Sequence, residues 1–252
     1  MRVYLVKDAR DVQAMFRATN VSTDIFSLRV QKQLAAYSEV DLLKFAADQS
    51  GRSKVTTGPG TEGKPPGIRY WATLHQIMTD HLSRDHAKNA LSAKYQELFG
   101  QRLLKFPVGE WTTIHVYEFL RDEMATAATA TMVGMRAFEQ TPDFIKRLWE
   151  FDEIAKSLIW GFPRWMNKNA CMKREALHAA CARYLAKAMS EFDWDGPEAA
   201  ADWDPVLGSR FTREYLKWMR DCGFTLQTMS GAVGLAIFGY VNFTYISADM
   251  AT

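Results

Sequence analysis

The sequence has few of the features that would assign it at once to a simple class. Its three cysteines, Cys171, Cys181 and Cys222, are too few for a disulfide scaffold, which favours a reducing compartment. The 31 basic and 29 acidic side chains nearly cancel to a net charge of +2, so charge gives no reason to expect a nucleic-acid partner. The first residues contain no apolar run long enough for a signal peptide or an N-terminal membrane anchor.

Signatures of several enzyme classes are also missing. The chain has neither a G-x-S-x-G nucleophile elbow nor a P-loop pattern. Residues 58–63, GPGTEG, match a dinucleotide-binding pattern by letter, but polar residues precede them and prolines follow, so we interpret them as loop. His75, His81 and His86 are six and five residues apart, which does not put them on one helix face. We therefore predict no metal site from them.

What the sequence does contain is a large apolar component at a globular length. Its 252 residues are 48% hydrophobic and suffice for one sizeable domain or two small ones. The 15 Phe, 9 Tyr, 8 Trp and 12 Met suit a large apolar interior or an apolar ligand pocket.

Helical periodicity dominates the chain, so the predicted class is mainly α with little β. The clearest pattern repeats apolar residues along 141–160. A glycine- and proline-rich stretch, 50–67, predicts a flexible loop. Only residues 3–6 suggest a strand. The predicted helical segments are 8–19, 39–49, 69–104 (one or two helices), 110–138, 141–160, 173–189, 209–224 and the final apolar stretch.

The chain ends in an apolar segment dotted with glycine. Gly223 to Ala248 carries no charged side chain and is long enough to cross a bilayer. Its Gln227, Asn242 and small polar residues favour a buried helix at the centre of a larger protein, with a membrane tail anchor as the alternative. Cys222 stands at the predicted start of this helix, where the helix dipole would favour a thiolate, although a buried inert thiol is the default interpretation.

Two stretches resemble fungal cytochrome P-450 proteins, in the branch of the sterol 7α-hydroxylases and prostacyclin synthase. Residues 202–243, DWDPVLGSRFTREYLKWMRDCGFTLQTMSGAVGLAIFGYVNF, are similar to the loop, H helix and I helix of that branch. Residues 69–99 are similar to its C helix and the segment after it. The resemblance runs over nearly all of residues 1–244, in the family's order from helix B to helix I.

This resemblance implies that the final helix lies directly over a heme. Gly239 would then allow close approach to the porphyrin face, Asn242 would lie in the oxygen-side groove, and Thr244 would donate a hydrogen bond there.

On the C helix, the resemblance makes Arg69, Trp71 and His75 candidates for holding the heme propionates, since anions need nearby donors and positive charge. The alternative for each of these residues is an ordinary surface or core position.

The resemblance also implies motifs that these 252 residues do not contain. Family members continue beyond the I helix to an E-x-x-R motif and to a glycine-framed loop whose cysteine ligates the heme iron. Residues 118–121, EFLR, match E-x-x-R by letter but precede the I-like helix. We therefore expect a single incomplete P-450 domain over 1–252, with an aberrant tail at 245–252, no metal ligand, and no heme stably bound by this chain alone.

For intact relatives, the resemblance implies heme-dependent oxygen insertion into a sterol or an apolar secondary metabolite, with electrons from a reductase at the endoplasmic reticulum membrane. Without an anchor, the chain would be cytoplasmic or peripheral to a membrane. The turn WGFPRW, 160–165, would supply a peripheral membrane contact. The alternative function is that of a non-catalytic helical protein that binds an apolar ligand or a partner.

Overall fold

The computed structural model describes residues 6–18, 23–53, 57–106, 109 and 111–249. Within them the chain is mainly helical, which confirms the predicted class. The predicted strand at 3–6 lies almost entirely outside the described residues. The α-helices are α1 Ala9–Arg17, α2 Asp24–Gln33, α3 Glu39–Ala46, α4 Tyr70–Met78, α5 Asp85–Leu103, α6 Val116–Val133, α7 Arg136–Gln140, α8 Phe144–Ile159, α9 Lys168–Glu191, α10 Arg210–Asp221 and α11 Leu226–Asp249.

Short elements connect these helices. Single 3₁₀ turns form at Pro66–Ile68 and Pro197–Ala200, and a π-helical turn, Thr79–Ser83, joins α4 to α5. Two strands of two residues each, β1 Trp203–Asp204 and β2 Gly208–Ser209, pair antiparallel ahead of α10. The GPGTEG stretch lies in turns before the first 3₁₀ helix, as its interpretation as loop predicts.

The final helix α11 runs through the centre of the fold and packs mainly against α9 and α6. Its residues Val233, Ile237 and Val241 are nearly inaccessible to solvent. The alanine-rich second half of α6 is buried as well, because small side chains let neighbouring helices approach closely. In the described part of the chain, no helix is both long and apolar enough to span a membrane.

The end of α6 is capped by side chains from two other helices. The buried hydroxyl of Tyr184 on α9 donates a hydrogen bond of 2.6 Å to the Val133 carbonyl. Thr212 on α10 donates one of 2.6 Å to the Met132 carbonyl. Because the last carbonyls of a helix have no partner within the helix, these bonds satisfy buried acceptors and fix α9 and α10 against α6.

A buried carboxylate locks the start of α11 to α3. Asp41 is fully buried, and its Oδ2 accepts hydrogen bonds from the Thr225 amide at 3.0 Å and the Thr225 hydroxyl at 2.7 Å. Lys44 lies 2.9 Å from the other oxygen. Burial by itself would raise the pKa of Asp41, but hydrogen bonds from Thr228, Lys44 and Thr225 outweigh burial and hold the pKa well below its usual value.

Replacing Asp41 with asparagine should destabilise the fold by about 3 kcal/mol, because it removes the buried negative charge that pairs with Lys44 and accepts hydrogen bonds from Thr225. The stability that the carboxylate provides is fully present above its unfolded-state pKa of about 4 and declines as the pH falls further, since the folded-state pKa is lower. Urea denaturation at pH 7 and pH 3 measures both effects. D143N, at the exposed pair with Arg147, is the matched control and should change stability little. Equal effects of the two variants would contradict the prediction.

Candidate functional site

A single stripe of α11 faces a cavity instead of another helix. The residues of this stripe recur at the three- and four-residue spacing of one helix face. The cavity beside it has a volume of about 930 Å³. This volume lies within the range of small-molecule sites. The stripe consists of Ala232, Leu235, Ala236, Gly239 and Tyr240.

The remaining walls of the cavity come from helices α2, α4, α5 and α10 and from the end of α6. Their lining side chains are predominantly apolar and include aromatic rings from four separate segments. These residues are Phe26, Val30, Trp71, Leu74, Met78, Leu82, Leu91, Tyr95, Met132 and Phe211. The site therefore suits a large apolar molecule.

Two glycines of α11 have opposite surroundings. A Cβ on Gly231 would overlap the carbonyl oxygen of Ala35, so Gly231 permits the close approach of the chain between α2 and α3. A Cβ on Gly239 would meet no heavy atom within 4 Å among the described residues. Packing within this part of the chain therefore does not require glycine at 239, and the position leaves room for another group.

The residues predicted to hold propionates are not brought together on the cavity wall. Trp71 lines the cavity, but its Nε1 donates to the Phe45 carbonyl at 2.9 Å. Arg69 is buried, and its Nη2 donates to the carbonyls of Ser50 and Ser53.

His75 is exposed and does not line the cavity. The positively charged side chains on the cavity wall are instead Arg52 and Lys88. The Arg52 guanidinium stacks 4.7 Å from the centre of the Trp71 ring and bonds to Asp24, so it bridges α2 and α4.

The three predicted oxygen-side residues all fall within α11. Gly239 lines the cavity, whereas the side-chain amide of Asn242 donates a hydrogen bond of 3.0 Å to the Phe238 carbonyl of its own helix. Thr244 lies in the helical backbone, but its side chain falls outside the described residues. The roles of the three residues stay predictions.

None of the three cysteines, all of which lie in the described ranges, lines the cavity. Cys171 and Cys181 are buried on α9, and burial raises the pKa of Cys181 to about 12. The sequence suggested that Cys222 starts the last helix, but in the structure Cys222 is the C-cap residue of α10. Burial raises its pKa, and its Sγ lies 3.4 Å from the Gly67 carbonyl.

A polar group that sequence reasoning missed closes the cavity near the start of α11. The buried hydroxyls of Tyr37 and Tyr215 lie 3.1 Å apart and line the cavity together with Gln31. Burial raises the pKa of Tyr37 well above its usual value and that of Tyr215 to about 12, so both stay protonated at neutral pH. No sequence pattern signals the group, because its members come from distant parts of the chain.

The three histidines considered from the sequence do not form a cluster. His86 is exposed and lies 4.0 Å from Asp202, and burial lowers the pKa of half-buried His81. Across the described ranges, no group of three or more His, Cys, Asp or Glu side chains could hold a metal ion.

Comparison with known proteins gives the family context of this cavity. The chain is 39% identical to the cytochrome P450 monooxygenase calL of Penicillium decumbens over 239 residues, which cover 94% of this chain and 44% of that protein. It is 26% identical to fsoE of Humicola fuscoatra, covering 53% of this chain and 23% of that protein. It is 25% identical to efuG of Hormonema carpetanum, covering 69% of this chain and 32% of that protein. Both of these are also named cytochrome P450 monooxygenases.

The chain is therefore a homologue of fungal cytochrome P450 monooxygenases, as the resemblance predicts. It spans less than half the length of each of these relatives. No family model matches it, and no solved structure matches it.

The two glycines of α11 give a direct test of the cavity. Gly239→Ala should leave stability unchanged or raise it by up to about 1 kcal/mol, because alanine favours the helix and its methyl group enters open space. Gly231→Ala should cost about 2 kcal/mol or more, because the helix must move away from Ala35. Thermal melts followed by circular dichroism measure both. A large loss in Gly239→Ala would show that this position is packed rather than open.

Proposed function

We propose that this chain forms the wall of an apolar substrate site in a heme-dependent monooxygenase reaction, and that the substrate is a sterol or another apolar secondary metabolite. The observation that carries the proposal is the apolar cavity along α11, at the helix that resembles the I helix of the family. Its volume of about 930 Å³ admits a multi-ring molecule, and its aromatic and aliphatic lining favours one.

We propose that the cavity accommodates one face of a heme. The alanines and Gly239 of the α11 stripe leave room beside the helix, and Arg52 and Lys88 place positive charge on the same cavity for carboxylates. When bound, heme supplies the iron chemistry that activates oxygen. The three cysteines of this chain do not reach the cavity, so we propose that its own residues do not furnish a thiolate ligand.

The residues of the chain would act by holding and orienting the substrate. The apolar walls of α2, α4 and α11 remove water from it, which strengthens the few polar contacts that remain. Gly239, Asn242 and Thr244 stay the proposed oxygen-side residues, and the positioning of the substrate against Gly239 would select the atom that reacts.

A reductase would be the electron-transfer partner, and the turn after α8 would give peripheral contact with the endoplasmic reticulum membrane. The side chains of Trp160, Phe162 and Trp165 in this turn are exposed by 59%, 51% and 80%. Exposed aromatic side chains are typical of membrane interfaces.

The spectrum of a heme complex tests the proposed lack of a thiolate. Purified chain supplied with heme, dithionite and CO should not give the strongly red-shifted Soret band of thiolate-ligated ferrous heme. The Cys222→Ala variant should give the same spectrum as the unaltered chain. A shifted band that one cysteine variant abolishes would contradict the proposal and identify the ligand.

Binding of dehydroergosterol, a fluorescent sterol, tests the apolar site. The unaltered chain should bind it, and Ala236→Phe should weaken binding by about tenfold or more, because the ring would fill the cavity beside α11. Met172→Phe adds the same ring at an exposed position of α9 and should leave binding unchanged. Energy transfer from tryptophan to the sterol measures affinity. Equal weakening by both variants would contradict the assignment of the cavity.

A further inference from the structure

The mainly apolar wall of the cavity contains a buried polar atom that has no partner among the described residues. Gln31 is 5% exposed, and its Oε1 is buried with no hydrogen-bond partner among the described residues. An unpaired buried amide oxygen costs free energy, so its retention needs a reason. Since the side chain lines the cavity, a bound molecule is the partner that the geometry offers.

The tyrosine pair adds a second polar group to the wall of the same cavity. Tyr37 and Tyr215 share one hydrogen bond between two hydroxyls, and both hydroxyls stay protonated. One proton lies between the two oxygens, and the other has no acceptor among the described residues. The Tyr37 backbone amide donates a hydrogen bond of 3.1 Å to the Gln31 backbone carbonyl, so one turn at the end of α2 holds both residues.

We propose that Gln31 and the Tyr37–Tyr215 pair recognise one hydroxyl group on an otherwise apolar ligand. The inference rests on the proposed role of the cavity as an apolar substrate site and narrows the substrate class. A ligand hydroxyl would donate to the Gln31 amide oxygen and accept from the free tyrosine proton.

The position of this group along α11 sets the orientation of the ligand. Residues 35–38 contact the first turn of α11, where the Ser38 backbone amide donates a hydrogen bond of 3.1 Å to the Thr228 hydroxyl. Gly239 lies eight residues beyond Gly231, which approaches the Ala35 carbonyl, or about 12 Å along the helix. The ligand oxygen is therefore held at one end of the cavity, and the opposite end of the ligand lies near Gly239.

Two probes that differ in a single oxygen test this recognition. 1-Pyrenemethanol and 1-methylpyrene share four fused rings and differ by one hydroxyl. The unaltered chain should bind the alcohol about fivefold more tightly, the effect of one net hydrogen bond. Gln31→Leu and Tyr215→Phe should bring the two affinities together while the affinity for 1-methylpyrene stays within about twofold. Probe anisotropy and energy transfer from tryptophan measure both affinities.

A matched control variant exists on the same helix. Gln33→Leu changes a glutamine of α2 that packs near Gly161 and does not line the cavity, so the preference for the alcohol should persist. Circular dichroism checks folding, and Tyr215→Phe decides the question if Gln31→Leu fails to fold. Equal affinities in the unaltered chain, or a preference that both variants retain, would overturn the inference and leave the apolar site standing. Binding of neither probe would overturn both.

Discussion

The close approach of α11 to the chain between α2 and α3 is the constraint on which the remaining architecture depends. Gly231 allows the contact with the Ala35 carbonyl, and the buried Asp41 holds Thr225 at the start of the helix. With its first turn fixed and two sides covered by α6 and α9, α11 can turn only its remaining stripe toward the cavity. The position of the site thus follows from how one helix is anchored.

The same anchoring produces a cavity with two chemically different ends. Near the first turns of α11, the tyrosine hydroxyls and an amide offer hydrogen bonds, while Gly239 leaves bare backbone at the far end. Between them the walls are mainly aliphatic and aromatic. Apolar contacts provide affinity without direction, so a few polar atoms at one end are sufficient to choose between two orientations of a long ligand.

Sequence patterns predicted the helices that bury an ordinary amphipathic face. The apolar period along 141–160 predicts a stripe of Phe144, Leu148, Phe151, Ile154 and Leu158 on α8. In the structure Ile154 is half-buried and the other four are buried. Helix α2 was missed because its pattern is weak: Ile25 and Phe26 are exposed by 81% and 58%, and its buried residue is a glutamine. Local periodicity in a sequence reflects burial of one helix face against a core, and α2 buries little of its surface in this way.

The candidate site was predictable only where the family resemblance reached it. That resemblance selected Gly239 and Trp71, which do line the cavity. It did not select Arg52, whose place over the Trp71 ring depends on how the loop before α4 folds back. Tyr37 and Tyr215 are 178 residues apart, so only tertiary packing joins them. Long-range contacts of this kind leave no local signal in a single sequence.

Arginines attach helix α2 to its neighbours, in addition to the apolar contacts that Leu28 and Val30 make with the core. Arg29 donates to the carbonyls of Ile159 and Trp160 at the end of α8, and Arg52 pairs with Asp24 while contacting Ser27. The Arg52–Asp24 ion pair, with both side chains 38% exposed, weakens as salt screens it, whereas the hydrogen bonds of Arg29 to carbonyls and the apolar packing around α11 depend little on salt. An exposed ion pair thus helps to hold one wall of the cavity, whereas buried contacts hold the opposite wall, so raising the ionic strength should loosen the first wall more than the second.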